Sequence, residues 1–124
     1  MNRKQVLLFV MSLMSLMVHA QELKVKEMKV VPMDLTAISN KILDINGKAC
    51  GLIKVQLKVK GTMFEGNVTN VEYKTNEYWV YMTDGSYMLS VKHPNYKTLK
   101  VNFRDYGIHS VESGKAYSLT LFVP

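Results

Sequence analysis

The 124 residues carry 16 Lys+Arg against 10 Asp+Glu, a formal net charge of +6, with 48% hydrophobic residues and a single cysteine. A chain this short holds one domain and excludes repeat arrays and two-domain enzymes. The charge is ordinary for a small domain, and one cysteine excludes an internal disulfide, so Cys50 reads as a buried thiol or an intermolecular link, the first being preferred.

The first segment, Met1-Asn2-Arg3-Lys4-Gln5, places two cations before the apolar run Val6 to Val18, and Val18-His19-Ala20 offers a cleavage site before Gln21. Residues 1–20 therefore read as a signal peptide and 21–124 as a single β-sandwich domain. Cleavage removes Arg3 and Lys4. The apolar run is too short to span a bilayer, which takes about 20 helical residues, and no later run is longer, so no transmembrane segment is expected after signal removal. The residue directly after the cleavage point is Gln21 and not a cysteine, so no lipid anchor is expected there.

Beyond Gln21 the dominant period is two. Val55, Leu57 and Val59 alternate with Lys54, Gln56, Lys58 and Lys60, Tyr87, Leu89 and Val91 with Met88, Ser90 and Lys92, Leu99, Val101 and Phe103 with Lys100 and Asn102, and Tyr117, Leu119, Leu121 and Val123 with Ser118 and Thr120. This alternation predicts half-buried strands over 23–31, 41–45, 51–59, 64–73, 78–82, 87–92, 97–103 and 116–123. Asp34 can cap one short helical turn over 35–37; otherwise helix is expected to be nearly absent. Asn46-Gly47 and Asp84-Gly85 supply the positive φ of tight turns. The second is expected to close a hairpin between 78–82 and 87–92. Many short strands punctuated by turns imply an all-β sandwich or barrel.

The stretch Tyr78-Trp79-Val80-Tyr81-Met82, with Gly85 and then Leu89-Ser90-Val91-Lys92-His93-Pro94-Asn95-Tyr96, resembles the hairpin of PEGA-type domains. Asp44-Ile45-Asn46-Gly47-Lys48 leading into Leu52 to Val59 resembles the opening hairpin of carboxypeptidase-regulatory-like domains. Met33 to Ala37, Cys50, Phe64-Glu65-Gly66 and Asp105-Tyr106-Gly107-Ile108 extend the likeness to exported Bacteroidetes modules that stand ahead of formylglycine-generating-enzyme-like or helical-repeat domains. The resemblance implies an immunoglobulin-like or transthyretin-like sandwich of about seven to eight strands. No such downstream domain follows within the 124 residues, so none of its activities carries over, and the group offers no catalytic residues to transfer.

No catalytic constellation stands out. Nucleophilic catalysis needs a base within reach of Ser or Cys, and beyond the signal only His93 and His109 are available. Two His and one Cys at wide spacing match no zinc pattern. Asp44-x-Asn46-Gly47 departs from a calcium loop, whose glycine stands at position six. No cofactor or metal is expected. Lys54, Lys58 and Lys60, with Lys24 and Lys26, form basic strand faces that either guard edges or hold an anionic glycan or lipid head group. Asn67-Val68-Thr69 is a glycan acceptor only in a eukaryotic secretory pathway.

The aromatic concentration is more pointed. Alternation sends Tyr78, Val80 and Met82 to one face of a strand and Trp79 with Tyr81 to the other. If the first set is core, the two rings face out as contact anchors. The alternative is a strand covered on both faces, or rings covered by lysine stems. Tyr96 and Tyr106, beside turns, are expected to lock corners through their hydroxyls. The candidate binding surface is accordingly Trp79 and Tyr81, rimmed by Gly85 and His93. The expected role is an exported, non-catalytic binding or assembly module of the bacterial envelope, periplasmic or at the cell surface, contacting a protein or glycan and no nucleic acid. The rival roles are strand-edge addition to a partner and, less favoured, a small enzyme.

Overall fold

The computed structural model describes residues 21–124, so the signal-peptide reading of residues 1–20 lies outside the described residues. The chain forms β1 (Gln21–Glu22), β2 (Lys24–Val30), a helical turn α1 (Thr36–Ser39), β3 (Gly51–Gln56), β4 (Met63–Gly66) and β5 (Val68–Lys74). There follow β6 (Glu77–Met82), β7 (Met88–His93), β8 (Tyr96–Asn102), a 3₁₀ turn (Phe103–Tyr106) and β9 (Ala116–Phe122). Two sheets result, one in the order β1-β8-β7-β4 and the other β2-β9-β3-β6-β5. They pack as the expected all-β sandwich. Among the described residues no helix is long and apolar enough to cross a membrane.

The first strand serves both sheets. Gln21–Glu22 runs parallel to β8, the chain dips inward at the buried Leu23, and Lys24–Val30 then runs antiparallel to β9 in the other sheet. The inward positions of the alternating pattern fill the core: Val55, Leu57, Tyr78, Val80, Met82, Leu89, Val91, Val101, Leu119 and Leu121 are all buried. Tyr87 is an exception, since it precedes β7 and lies exposed under the Arg104 guanidinium, 3.9 Å from its ring centre.

Three strand expectations change. Segment 41–45 is no strand, because both edges of β3 are already occupied by β6 and β9. It makes only a bridge between Leu43 and Ala49 around a turn in which Asp44 Oδ1 accepts from the amides of Asn46 and Lys48, at 2.8 and 3.0 Å. The single strand over 64–73 is two strands in different sheets, divided at Gly66 and Asn67. Gly66 has φ +134°, and a Cβ there would lie 3.1 Å from the Met88 carbonyl oxygen.

The Asp84-Gly85 turn forms, with Gly85 at φ +90° and Ser86 N–H donating to the Thr83 carbonyl, yet it closes no hairpin. Gly85 N–H donates to the Val111 carbonyl and Val111 N–H to that of Ser86, at 2.8 and 2.7 Å. These bonds draw the chain across to the other sheet, where β7 pairs with β4 and β8 rather than with β6. The hairpin of β6 is instead with β5, through Thr75 and Asn76, the latter at φ +59°.

Candidate binding surface

The outer face of the five-stranded sheet carries Leu52, Lys54 and Gln56 of β3 opposite Tyr81, Trp79 and Glu77 of β6. Asp34 begins the cover over this face. Its carboxylate accepts from the Thr36 amide and hydroxyl, starting α1, and its second oxygen meets Lys54 Nζ at 2.8 Å. Burial alone would raise the Asp34 carboxyl, but the hydrogen bonds from Lys54 and Thr36 outweigh it and hold the group below its ordinary value.

Tyr81 does not belong to an exposed pair. It is fully buried with Ala37, Cys50 and Leu52, and Asn40 Nδ2 donates to its hydroxyl at 2.8 Å. The cause is α1, which lies over the Leu52–Tyr81 cross-strand pair and removes that ring from water. Cys50 is the buried thiol expected, its Sγ 3.5 Å from Thr69 Oγ1. Trp79 is half-buried, with the ammonium groups of Lys54 and Lys74 each 4.7 Å from its ring centre. Its Nε1 is withdrawn from solvent and has no hydrogen-bond partner among the described residues. Lysine stems thus cover much of the ring that alternation alone would leave bare.

His93 and Gly85 do not rim this ring together. The whole of β7 separates them, roughly 20 Å at about 3.3 Å per residue. His93 Nδ1 accepts from the Asn95 amide at 3.1 Å, so Nε2 carries the proton and donates to the Lys60 carbonyl at 3.0 Å. With the Tyr96 ring tilted against it at 5.0 Å, the imidazole fastens the β7–β8 turn to the loop after β3. The corner-locking hydroxyls are those of Tyr78, donating to Val59 O at 2.6 Å, and Tyr117, accepting from Glu112 N at 2.9 Å. The expected locks at Tyr96 and Tyr106 do not form among the described residues: beside them Asn95 N–H donates to His93 Nδ1 and Gly107 N–H to the Arg104 carbonyl.

Two grooves mark the five-stranded sheet. One of about 750 Å³ opens at the end of the sandwich between Leu57, Val59, Leu121 and Val123. The other, about 590 Å³, crosses the outer face past Lys29, Asp34 and Lys54, whose charges are mutually neutralised or paired with Glu27. Among the described residues no three His, Cys, Asp or Glu side chains converge to hold a metal ion.

The sheet edges differ sharply. β1 has two residues and β4 four, too short for much pairing. The β2 edge carries exposed Lys24, Lys26, Glu27 and Lys29 and a bulge at Lys26, which are common guards against pairing. The β5 edge is as long as β2, at seven residues, and carries fewer charges, Glu72 and Lys74, with its bulge confined to the start at Val68–Asn70. Leu57 N–H donates to the Asn76 carbonyl, which sets the hydrogen-bonding phase of β3 and β6. Tyr78 and Val80 then turn their main-chain groups toward β3, while Glu77, Trp79 and Tyr81 turn theirs toward β5. In β5 the matching residues are Lys74, Glu72 and Asn70. Val71 and Tyr73 are left with N–H and C=O pointing outward, unpaired among the described residues. Their side chains lie on the inner face but remain 38% and 47% exposed, because the sandwich is open on this side. Period-two reading could not find this site, since an edge is defined by the absence of a neighbour.

Comparison with known proteins returns nothing: no protein-family model matches the chain, and no curated protein or solved structure matches it.

Proposed function

We propose that this domain is a non-catalytic binding and assembly module of the bacterial cell envelope, periplasmic or at the cell surface, which takes an extended segment of a protein partner along the free edge of β5. The observation that carries the reading is the outward row of main-chain donors and acceptors at Val71 and Tyr73, beside two partly exposed apolar side chains. Strand addition supplies main-chain hydrogen bonds for affinity and alternate side chains for selection. The charged start and apolar run before Gln21, with the PEGA-like residues of Tyr78 to Tyr96, support the envelope setting. A glycan stacked on Trp79 has less support, because Tyr81 is buried and Lys54 and Lys74 already cover the indole.

A peptide-display library panned on the exported chain tests the edge. The wild type should enrich peptides of alternating apolar pattern, and Val71→Pro should lose them. Proline at 71 removes an N–H that faces solvent and none that β6 uses, so the fold tolerates it. Equal enrichment by Val71→Pro and wild type overturns the reading.

A further inference from the structure

We infer that the strand added to β5 is β5 of a second copy of this chain, paired antiparallel about a two-fold axis at Tyr73. The inference rests on the edge reading above and names its occupant. In an antiparallel pair of identical strands one residue stands opposite its own copy, and the regular part of β5, residues 70–74, offers five such centres. A centre at Glu72 or at Lys74 sets like charges face to face, which is repulsive. A centre at Asn70 or at Val71 brings Val71 or Tyr73 against Thr69, where the register shift between Val68 and Asn70 interrupts the ladder. A centre at Tyr73 avoids both faults.

In that register the outward N–H and C=O of Tyr73 meet those of Tyr73 in the second copy, and Val71 lies opposite Thr75. Glu72 stands directly opposite Lys74 twice, once on each side of the axis. Opposite charges at such facing positions attract, and like charges repel. The present contacts of both groups are long and lie at the surface: Glu72 Oε2 is 3.6 Å from Lys74 Nζ and 3.5 Å from Asn40 Nδ2, and re-pairing would draw the Lys74 ammonium from its place over the Trp79 ring, where Lys54 remains. The exposed Tyr73 rings, each edge-on to its own Tyr78 at 5.0 Å, would cover one another across the axis. The two five-stranded sheets then continue as one.

Sedimentation equilibrium of the exported chain, up to about 1 mM where weak pairs show, tests this with four samples. The wild type should self-associate. Glu72→Lys and Lys74→Glu should each weaken association by about tenfold, since both facing pairs become like-charged. An equimolar mixture of the two variants should recover it, because each then faces the charge it needs. Circular dichroism of these surface variants should match the wild type. A monomeric wild type, or a mixture no tighter than its components, overturns the inference. If the wild type is monomeric while peptide capture still depends on Val71, the edge reading stands and only the self-partner fails. If Val71→Pro leaves a wild-type dimer intact, the dimer uses another face and the inference falls.

Discussion

Asp34 and Lys54 form a 2.8 Å ion pair on the outer face of the five-stranded sheet, with each side chain only about one-fifth exposed, at 19% and 20%. The pair joins the chain just before α1 to β3 and so holds down the cover that buries Tyr81. Asp34→Ala should cost about 1.5–3 kcal/mol at neutral pH, the usual range for hydrogen bonds to a charged group. Lys54→Met should cost less, because a methionine stem still lies over Trp79. Urea unfolding of both variants checks the order.

Acid should weaken the domain through two carboxylates. The Ser113 amide and the Lys48 ammonium hold Asp84 below its ordinary value, and the Lys54 and Thr36 bonds, exceeding the effect of burial, do the same for Asp34. A carboxyl depressed in the folded state contributes stability that is complete above the unfolded value, 3.8, and lost as pH falls through the folded one. Melting temperature should therefore fall below about pH 4, and the fall should be shallower in Asp34→Asn with Asp84→Asn. An unchanged slope in the double variant would contradict the assignment.

Burial raises the Tyr81 hydroxyl, as it does that of Tyr117. A phenol with a raised folded value keeps its stabilising effect below about pH 10, the unfolded value, and loses it as pH climbs. Tyr81 and Tyr117 should consequently ionise at higher pH in the folded chain than in the unfolded one, which absorbance titration resolves. Tyr81→Phe should abolish one late step and cost about 1 kcal/mol through the lost Asn40 bond.

Gly51 tolerates no side chain. A Cβ there would lie 2.1 Å from Val111 Cγ1 and 2.7 Å from the Glu112 carbonyl oxygen, where β3 passes beneath the loop before β9. Gly51→Ala should destabilise by about 1–3 kcal/mol through overpacking. Val111→Ala should recover part of the loss by removing the nearer atom.

Gly47 and Gly85 meet nothing within 4 Å, so their requirement is conformational: φ is +79° and +90°. Alanine at either should cost about 1–2 kcal/mol, valine more, and asparagine least. Thermal melts of the three variants at each position would show that order; equal melting temperatures would mean the turns have other shapes.

Most strand positions, apart from 41–45 and the break at Gly66 inside 64–73, the buried sides of β3, β7, β8 and β9, and the turns at Gly47 and Gly85 follow from sequence alone. Each depends on local alternation or on one residue's φ, and neighbours in the chain carry both. Strand partnership does not. The turn at Gly85 looks like a hairpin from its residues, but Val111, distant in sequence, takes its amide and sends β7 to the other sheet. Tyr81 and Trp79 share a face by alternation, yet only tertiary structure lays α1 over one and lysine stems over the other. Whether a strand ends a sheet depends on what every other strand does. The exposed main chain of β5 therefore appears only once β6 has taken β3 on one side and β5 on the other, with nothing left among the described residues to pair beyond it.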